Sequence, residues 1–145
     1  MRDFNTLEEY IGKDPGAVSY VTDIYRRACR NRNFRETVWT GNHLQLTVMD
    51  IPPCGEIGVE CHPDTDQLIR VEAGQAMVFM GACRERLDFR RRLGAGEAVL
   101  VPCGTWHNVV NDGRKPLKLS SVYAPPQHPR GTVHRTRADA EKDEK

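Results

Sequence analysis

The sequence predicts an all-β fold, a jelly-roll barrel with short terminal helices, on two observations. Its central region is a series of short apolar-rich runs, and turn-forming residues separate them at regular intervals. Its 145 residues also suit one compact domain, since a chain of that size buries about 68–70% of the surface its unfolded form exposes.

The elements follow in chain order. Asn5-Thr6-Leu7-Glu8-Glu9-Tyr10-Ile11 has a capping-box-like start and predicts a short helix, ended by Gly12 and Pro15. Residues 18–32 fit either an extended arm or a helix, so 1–33 reads as an N-terminal helix and arm. The barrel takes residues 34–126. Its predicted strands are Glu36 to Trp39, His43 to Ile51, Ile57 to His62, Gln67 to Glu72, Gln75 to Met80, Leu87 to Leu93, Ala98 to Val101, His107 to Asn111 and Leu117 to Tyr123. Turns fall at Gly41-Asn42, Pro52-Pro53, Pro63-Asp64, Gly74, Gly81, Gly94, Gly104 and Asp112-Gly113. After Pro125-Pro126 the chain becomes polar, and 127–145 reads as a loop and charged tail whose helical end frays.

Charge and composition exclude several function classes. Lys+Arg 21 against Asp+Glu 20 gives a net charge of +1, so no nucleic acid or membrane partner is expected. No apolar run approaches the ~18 residues of a membrane span, and Met-Arg-Asp-Phe-Asn lacks the apolar core of a signal peptide, which predicts a cytoplasmic protein. Arginines cluster at Arg26, Arg27, Arg30, Arg32 and Arg35, and again at Arg84, Arg86, Arg90, Arg91 and Arg92. Each cluster reads as a solvated strand face, with a phosphate- or carboxylate-binding patch as the alternative. Cys29, Cys54, Cys61, Cys83 and Cys103 are odd in number and form no C-x-x-C pair, so neither a disulfide framework nor a zinc ribbon is indicated.

Two segments carry chemistry. In Gly96-Glu97-Ala98-Val99-Leu100-Val101-Pro102-Cys103-Gly104-Thr105-Trp106-His107-Asn108-Val109-Val110-Asn111, Pro102 cannot donate to a sheet ladder and ends a strand, while Gly104 permits the tight turn. The returning strand then delivers His107 to the interior, with Val109 and Asn111 on the same face. In Glu60-Cys61-His62-Pro63-Asp64-Thr65-Asp66-Gln67, Glu60 and His62 lie two apart and point to one side of an extended strand. A carboxylate and imidazoles facing one way can share a metal ion. By the same alternation Cys61 and Trp106 face away, and on the strand beginning at Gln67, Ile69 and Val71 point inward while Leu68 and Arg70 point outward.

These segments resemble the two signature motifs of the cupin superfamily. The second motif reads glycine, five residues, Pro-x-Gly, two residues, histidine, three residues, asparagine, and is matched by Gly96, Pro102, Gly104, His107 and Asn111. The first is matched in part: His62 and Gly74 fit, Glu60 stands where a histidine belongs, Gln67 where a glutamate belongs, and Gly55 is one place off. The resemblance covers residues 34–126 and implies the cupin double-stranded β-helix. It implies a metal shell of Glu60, His62, Gln67 and His107, with Asp66 competing with Gln67 because the motif allows three or four residues after His62.

Two histidines and one carboxylate form the set used by non-haem Fe(II) oxygenases, and such N/O shells take Fe, Mn, Ni, Co or Zn. The alternative is a hydrogen-bonded core cluster that has lost its metal. The arrangement is similar to small single-domain cupins labelled mannose-6-phosphate-isomerase-like. The implied function is a metal-dependent enzyme, isomerase-like or oxygenase-like, acting on a small, polar, sugar-like molecule, with Glu60 the catalytic base if it is not a ligand. A non-catalytic small-molecule binding or sensing module is the second reading. Single-domain cupins tend to dimerise, which implies a homodimer here, with an extended arm at 18–34 adding a strand to a neighbour. His43 reads as an ordinary surface or core histidine. His128 and His134 sit in either a proline-packed surface loop or a lid folded over the barrel mouth.

Overall fold

The computed structural model describes residues 13–143. The predicted helix at 5–11 lies outside them. Helix α1 (Ile24–Arg30) precedes strands β1 (Arg35–Thr40), β2 (Gln45–Ile51), β3 (Asp66–Ala73), β4 (Ala76–Gly81), β5 (Phe89–Leu93), β6 (Ala98–Val101), β7 (Trp106–Asn111), β8 (Leu117–Ala124) and β9 (Val133–His134), and α2 (Arg137–Asp143) follows. The strands form two antiparallel sheets, one of six in the order β6-β3-β8-β2-β1-β9 and one of three in the order β5-β4-β7. Between them lies a single core drawn from both, with Met49, Ile51, Ile69, Val71, Leu117 and Leu119 from one sheet and Ala76, Val78, Leu93 and Val109 from the other. This is the all-β jelly-roll that the alternating runs predict: β3 buries Gln67, Ile69 and Val71 and turns Arg70 out.

Three regions differ from expectation. The stretch 57–62 is not a continuous strand. It meets β7 through isolated antiparallel bridges, Glu56 with Val110 and Glu60 with His107, and between them Gly58 takes a φ of +101°, a left-handed conformation that interrupts a ladder. Of the two alternatives for 18–32, the helix is realised over Ile24–Arg30 in place of the strand-adding arm; α1 is capped by Asp23, whose carboxylate accepts from Arg26 N at 3.0 Å. It packs on its own sheet through Arg27 and Ala28 and is not a free strand. The first arginine cluster is not wholly solvated either, since Arg27 and Arg35 are each 2% exposed.

The C-terminal residues return to the barrel. β9 pairs with β1, and α2 places Ala140 in the main core. Gln45 ties the intervening loop to β2, accepting from Gln127 N and His128 N at 3.2 and 3.0 Å and donating to His128 O at 2.7 Å. No described helix is long and apolar enough to cross a membrane.

Candidate metal centre

Backbone pairing brings the site together. Glu60 and His107 exchange both amide hydrogen bonds, 2.9 Å each way, so they are directly opposed and their side chains share a face. His62 lies two residues beyond Glu60, and its carbonyl accepts from Gly104 N at 2.8 Å, which holds it against the turn between β6 and β7. Gly104 has a φ of +77°, the conformation the Pro-x-Gly turn calls for. As a result Glu60 Oε1 lies 3.4 Å from His62 Nε2 and 3.6 Å from His107 Nε2, and these donor atoms all lie within 4.8 Å of one another.

His107 is oriented by its other nitrogen: Nδ1 lies 2.9 Å from the Thr105 carbonyl, which can only accept, so Nδ1 carries a proton and Nε2 is the nitrogen turned to Glu60. Burial by itself would push the Glu60 carboxyl up, but the His107 and His62 imidazoles, with the Arg35 guanidinium, outweigh it and hold the group well below the usual carboxylate range. Glu60 is therefore an anion held between two imidazoles.

Gln67 is 3% exposed and sits opposite Tyr123 in the β3–β8 ladder; its Nε2 reaches Ser121 Oγ at a long 3.4 Å. Glu60 Oε1, His62 Nε2, Gln67 Oε1 and His107 Nε2 are all buried and without a hydrogen-bond partner. Buried polar atoms left without partners are costly unless a cation or proton donor satisfies them, and the N/O cluster of Glu60, His62 and His107 suits a divalent transition metal. Asp66, the competing residue, is exposed and accepts from Cys103 N at 2.9 Å, which ties it to the outer turn. None of the five cysteines joins the cluster, and all are free thiols.

The chain's relatives agree with this architecture. A family model described as the cupin domain matches residues 47–123, more than half of the sequence. The chain belongs to the cupin family. It is 48% identical over 128 residues to YrkC of Bacillus subtilis, an alignment spanning 88% of this chain and 69% of that protein. The crystal structure of BH2720 from Bacillus halodurans is 49% identical, with a TM-score of 0.88 over 90% of this chain and 98% of that one. An oxalate oxidase in complex with glycolate shares the fold at 21% identity, with a TM-score of 0.52 over 57% of this chain and 42% of that one.

Several residues around this cupin's centre are not evident from its motifs. Tyr123 presents its edge to His62 with ring centroids 5.7 Å apart, His128 stands 5.2 Å from Tyr123, and His134 6.3 Å from His128. Burial pushes the Tyr123 phenol up to about 12 and pushes His128 down to about 3, with Arg35 adding to the second effect. Alternation along β8 would have found Tyr123, two places beyond the buried Ser121. Nothing local marks His128, which arrives through the C-terminal return. Asn111, expected to line the pocket, instead pins a turn: its Nδ2 donates to Ile51 O and Lys115 O at 2.9 Å each, and its Oδ1 accepts from Gly113 N. His43 is exposed.

Proposed function

We propose that this cupin holds a divalent metal ion between Glu60, His62, Gln67 and His107 and acts as a metal-dependent enzyme on a small polar molecule. The observation that carries the reading is the cluster of Glu60, His62 and His107, whose donor atoms lie within 4.8 Å of one another and are buried and partnerless, as is Gln67 Oε1. A bound divalent ion supplies Lewis acidity to an oxygen-bearing ligand. The chain's own residues do the rest. Thr105 fixes the His107 ring by taking its Nδ1 proton in a hydrogen bond, which keeps Nε2 available. Glu60 brings the one negative charge of the donor set, and Gln67 a neutral oxygen.

Access is through two cavities. One of 370 Å³ is lined by Glu60, and one of 570 Å³ by His62, His128 and His134; both suit small ligands. The test is elemental analysis of protein purified without chelator or histidine tag, alongside His62→Ala and His107→Ala. The parent should carry a stoichiometric divalent metal and both variants should lose most of it; full occupancy in both would overturn the assignment.

A further inference from the structure

Arg35, the first residue of β1, is 2% exposed. A guanidinium at that depth ordinarily has a carboxylate beside it, because an uncompensated buried charge costs several kcal/mol. Arg27, equally buried, has one, with Glu36 Oε1 at 3.6 Å from its Nη2. Among the described residues Arg35 has none. Its Nε is buried without a partner, its Nη1 lies 3.5 Å from the ring nitrogen of His134, its guanidinium also acts on the Tyr123 phenol, and its guanidinium carbon stands 5.4 Å from the centroid of the Phe34 ring.

The open side of this residue is the 370 Å³ cavity, which Arg35 and Glu60 line together with Arg84 and Arg137. The last two are occupied: Arg84 lies over the Trp106 ring at 5.9 Å, and Arg137 reaches Glu141 and Glu56 at 3.1 and 3.7 Å. Arg35 is thus the buried cation of the cavity with no carboxylate in ion-pair contact among the described residues, whereas Arg84 is exposed to solvent. Glu60 feels the guanidinium at longer range, but its carboxylate is engaged between two imidazoles and makes no ion pair with Arg35. With a divalent ion present the imbalance grows, because Glu60 offsets one of the ion's charges and Arg35 restores it.

We propose that Arg35 is the anion-binding residue of this cavity and that the small polar ligand is a carboxylic acid, seated on the guanidinium fork with its remaining oxygens toward Glu60. A planar fork of parallel donors matches a carboxylate in a way that a point charge does not. Only the placement of the acid's far end rests on the metal reading; the seat itself belongs to Arg35.

Isothermal titration with malonate, and with malonamide as its uncharged counterpart, tests this on metal-free protein and again after loading with Zn²⁺. Malonate should bind in both states and malonamide at least about tenfold more weakly, as expected for loss of a charge-assisted contact. Arg35→Gln should weaken malonate about ten- to a hundredfold, and Arg35→Lys, which keeps the charge and loses the fork, should fall between. In the same Arg35→Gln protein Zn²⁺ affinity should hold or rise, since a cation has been removed from beside the site, and urea stability should not drop. Those two readouts separate a lost seat from a misfolded protein. Parent-like malonate binding in both variants, equal binding of malonamide, or no malonate binding by the parent would each overturn the proposal. A parent that takes up no Zn²⁺ yet binds malonate through Arg35 would support the seat and overturn the metal reading.

Discussion

Replacing Glu60 by glutamine separates a metal ligand from a structural hydrogen-bonding group, because it keeps the shape and removes the only negative charge among the four donor atoms. Metal at a hundredfold excess over its dissociation constant stabilises a protein by about 2.7 kcal/mol. With an unfolding entropy of about 2.1 cal/mol/K per residue, a chain of 145 residues has about 0.3 kcal/mol/K. The parent's melting temperature should therefore rise by about 9 °C. A unit charge acting over 4 Å in a partly desolvated site is worth about 4 kcal/mol at an effective dielectric of 20, so a hundredfold loss of affinity is a conservative floor for Glu60→Gln. At the same metal concentration the variant's site is then half-filled at most, which leaves about 0.4 kcal/mol and a shift of about 1 °C. Gln67→Glu adds an anionic oxygen and should shift at least as far as the parent. Differential scanning fluorimetry with Ni²⁺ or Zn²⁺, against a chelator control, reads all three. A parent-sized shift in Glu60→Gln would remove Glu60 from the metal's ligands and leave it as a general base or a structural group.

Two further outcomes follow from the surroundings of the site. His128 is held near a pKa of about 3 by burial and by Arg35, against the ordinary histidine value of 6.5, and it is also faced by His134, His62 and the opposing charge of Glu60. The unfolded chain therefore takes up the proton first, so stability contributed by this residue is complete above pH ~6.5 and lost progressively as pH falls toward 3, by about 1–2 kcal/mol at pH 5. Urea melts of metal-free protein at pH 7 and pH 5 should show that loss shrinking in His128→Gln, and an identical pH dependence in the two proteins would refute it. The homodimer implied by the family resemblance should give twice 16.5 kDa by light scattering, and Leu100→Asp should return it to a monomer, because Leu100 is 70% exposed beside Leu68 and Val122 on the outer sheet face. A parent mass of 16.5 kDa would refute the dimer.

What the sequence made legible was whatever depends on near neighbours. Period-two alternation is a local rule, so it placed Gln67, Ile69 and Val71 on the buried face of β3 and turned Arg70 outward. The same rule put Glu60 and His62 together, and the Pro102–Gly104 turn is short enough to read directly. The segment 57–62 failed as a strand for an equally local reason that apolar content hides: Gly58 at +101° lets Asn108 Oδ1 accept its amide at 2.9 Å, a bond from a side chain where a ladder would have used a carbonyl.

Burial of charge was not legible, because it is decided by residues far apart in the chain. Arg27, Arg35 and their exposed neighbours look alike in sequence; Arg27 is buried because Glu36 and the Tyr20 hydroxyl, 3.2 Å from its Nη1, receive it. Arg35 is covered by residues a hundred positions later, where β9 adds to β1 through two residues, too short a strand to announce itself by periodicity. That return also explains how the polar residues 127–143 are held against the barrel. The ring of His134, whose backbone pairs with Arg35 in the β1–β9 ladder, meets Asp143 of α2 at 2.6 Å, and Ala140, the small residue between them, is the one that enters the core. A segment of 127–143 that looks soluble by composition thus closes the barrel with few apolar atoms, using Gln45 as a side-chain mimic of a strand edge. The polar character that marked it as a tail is the means by which it is bound.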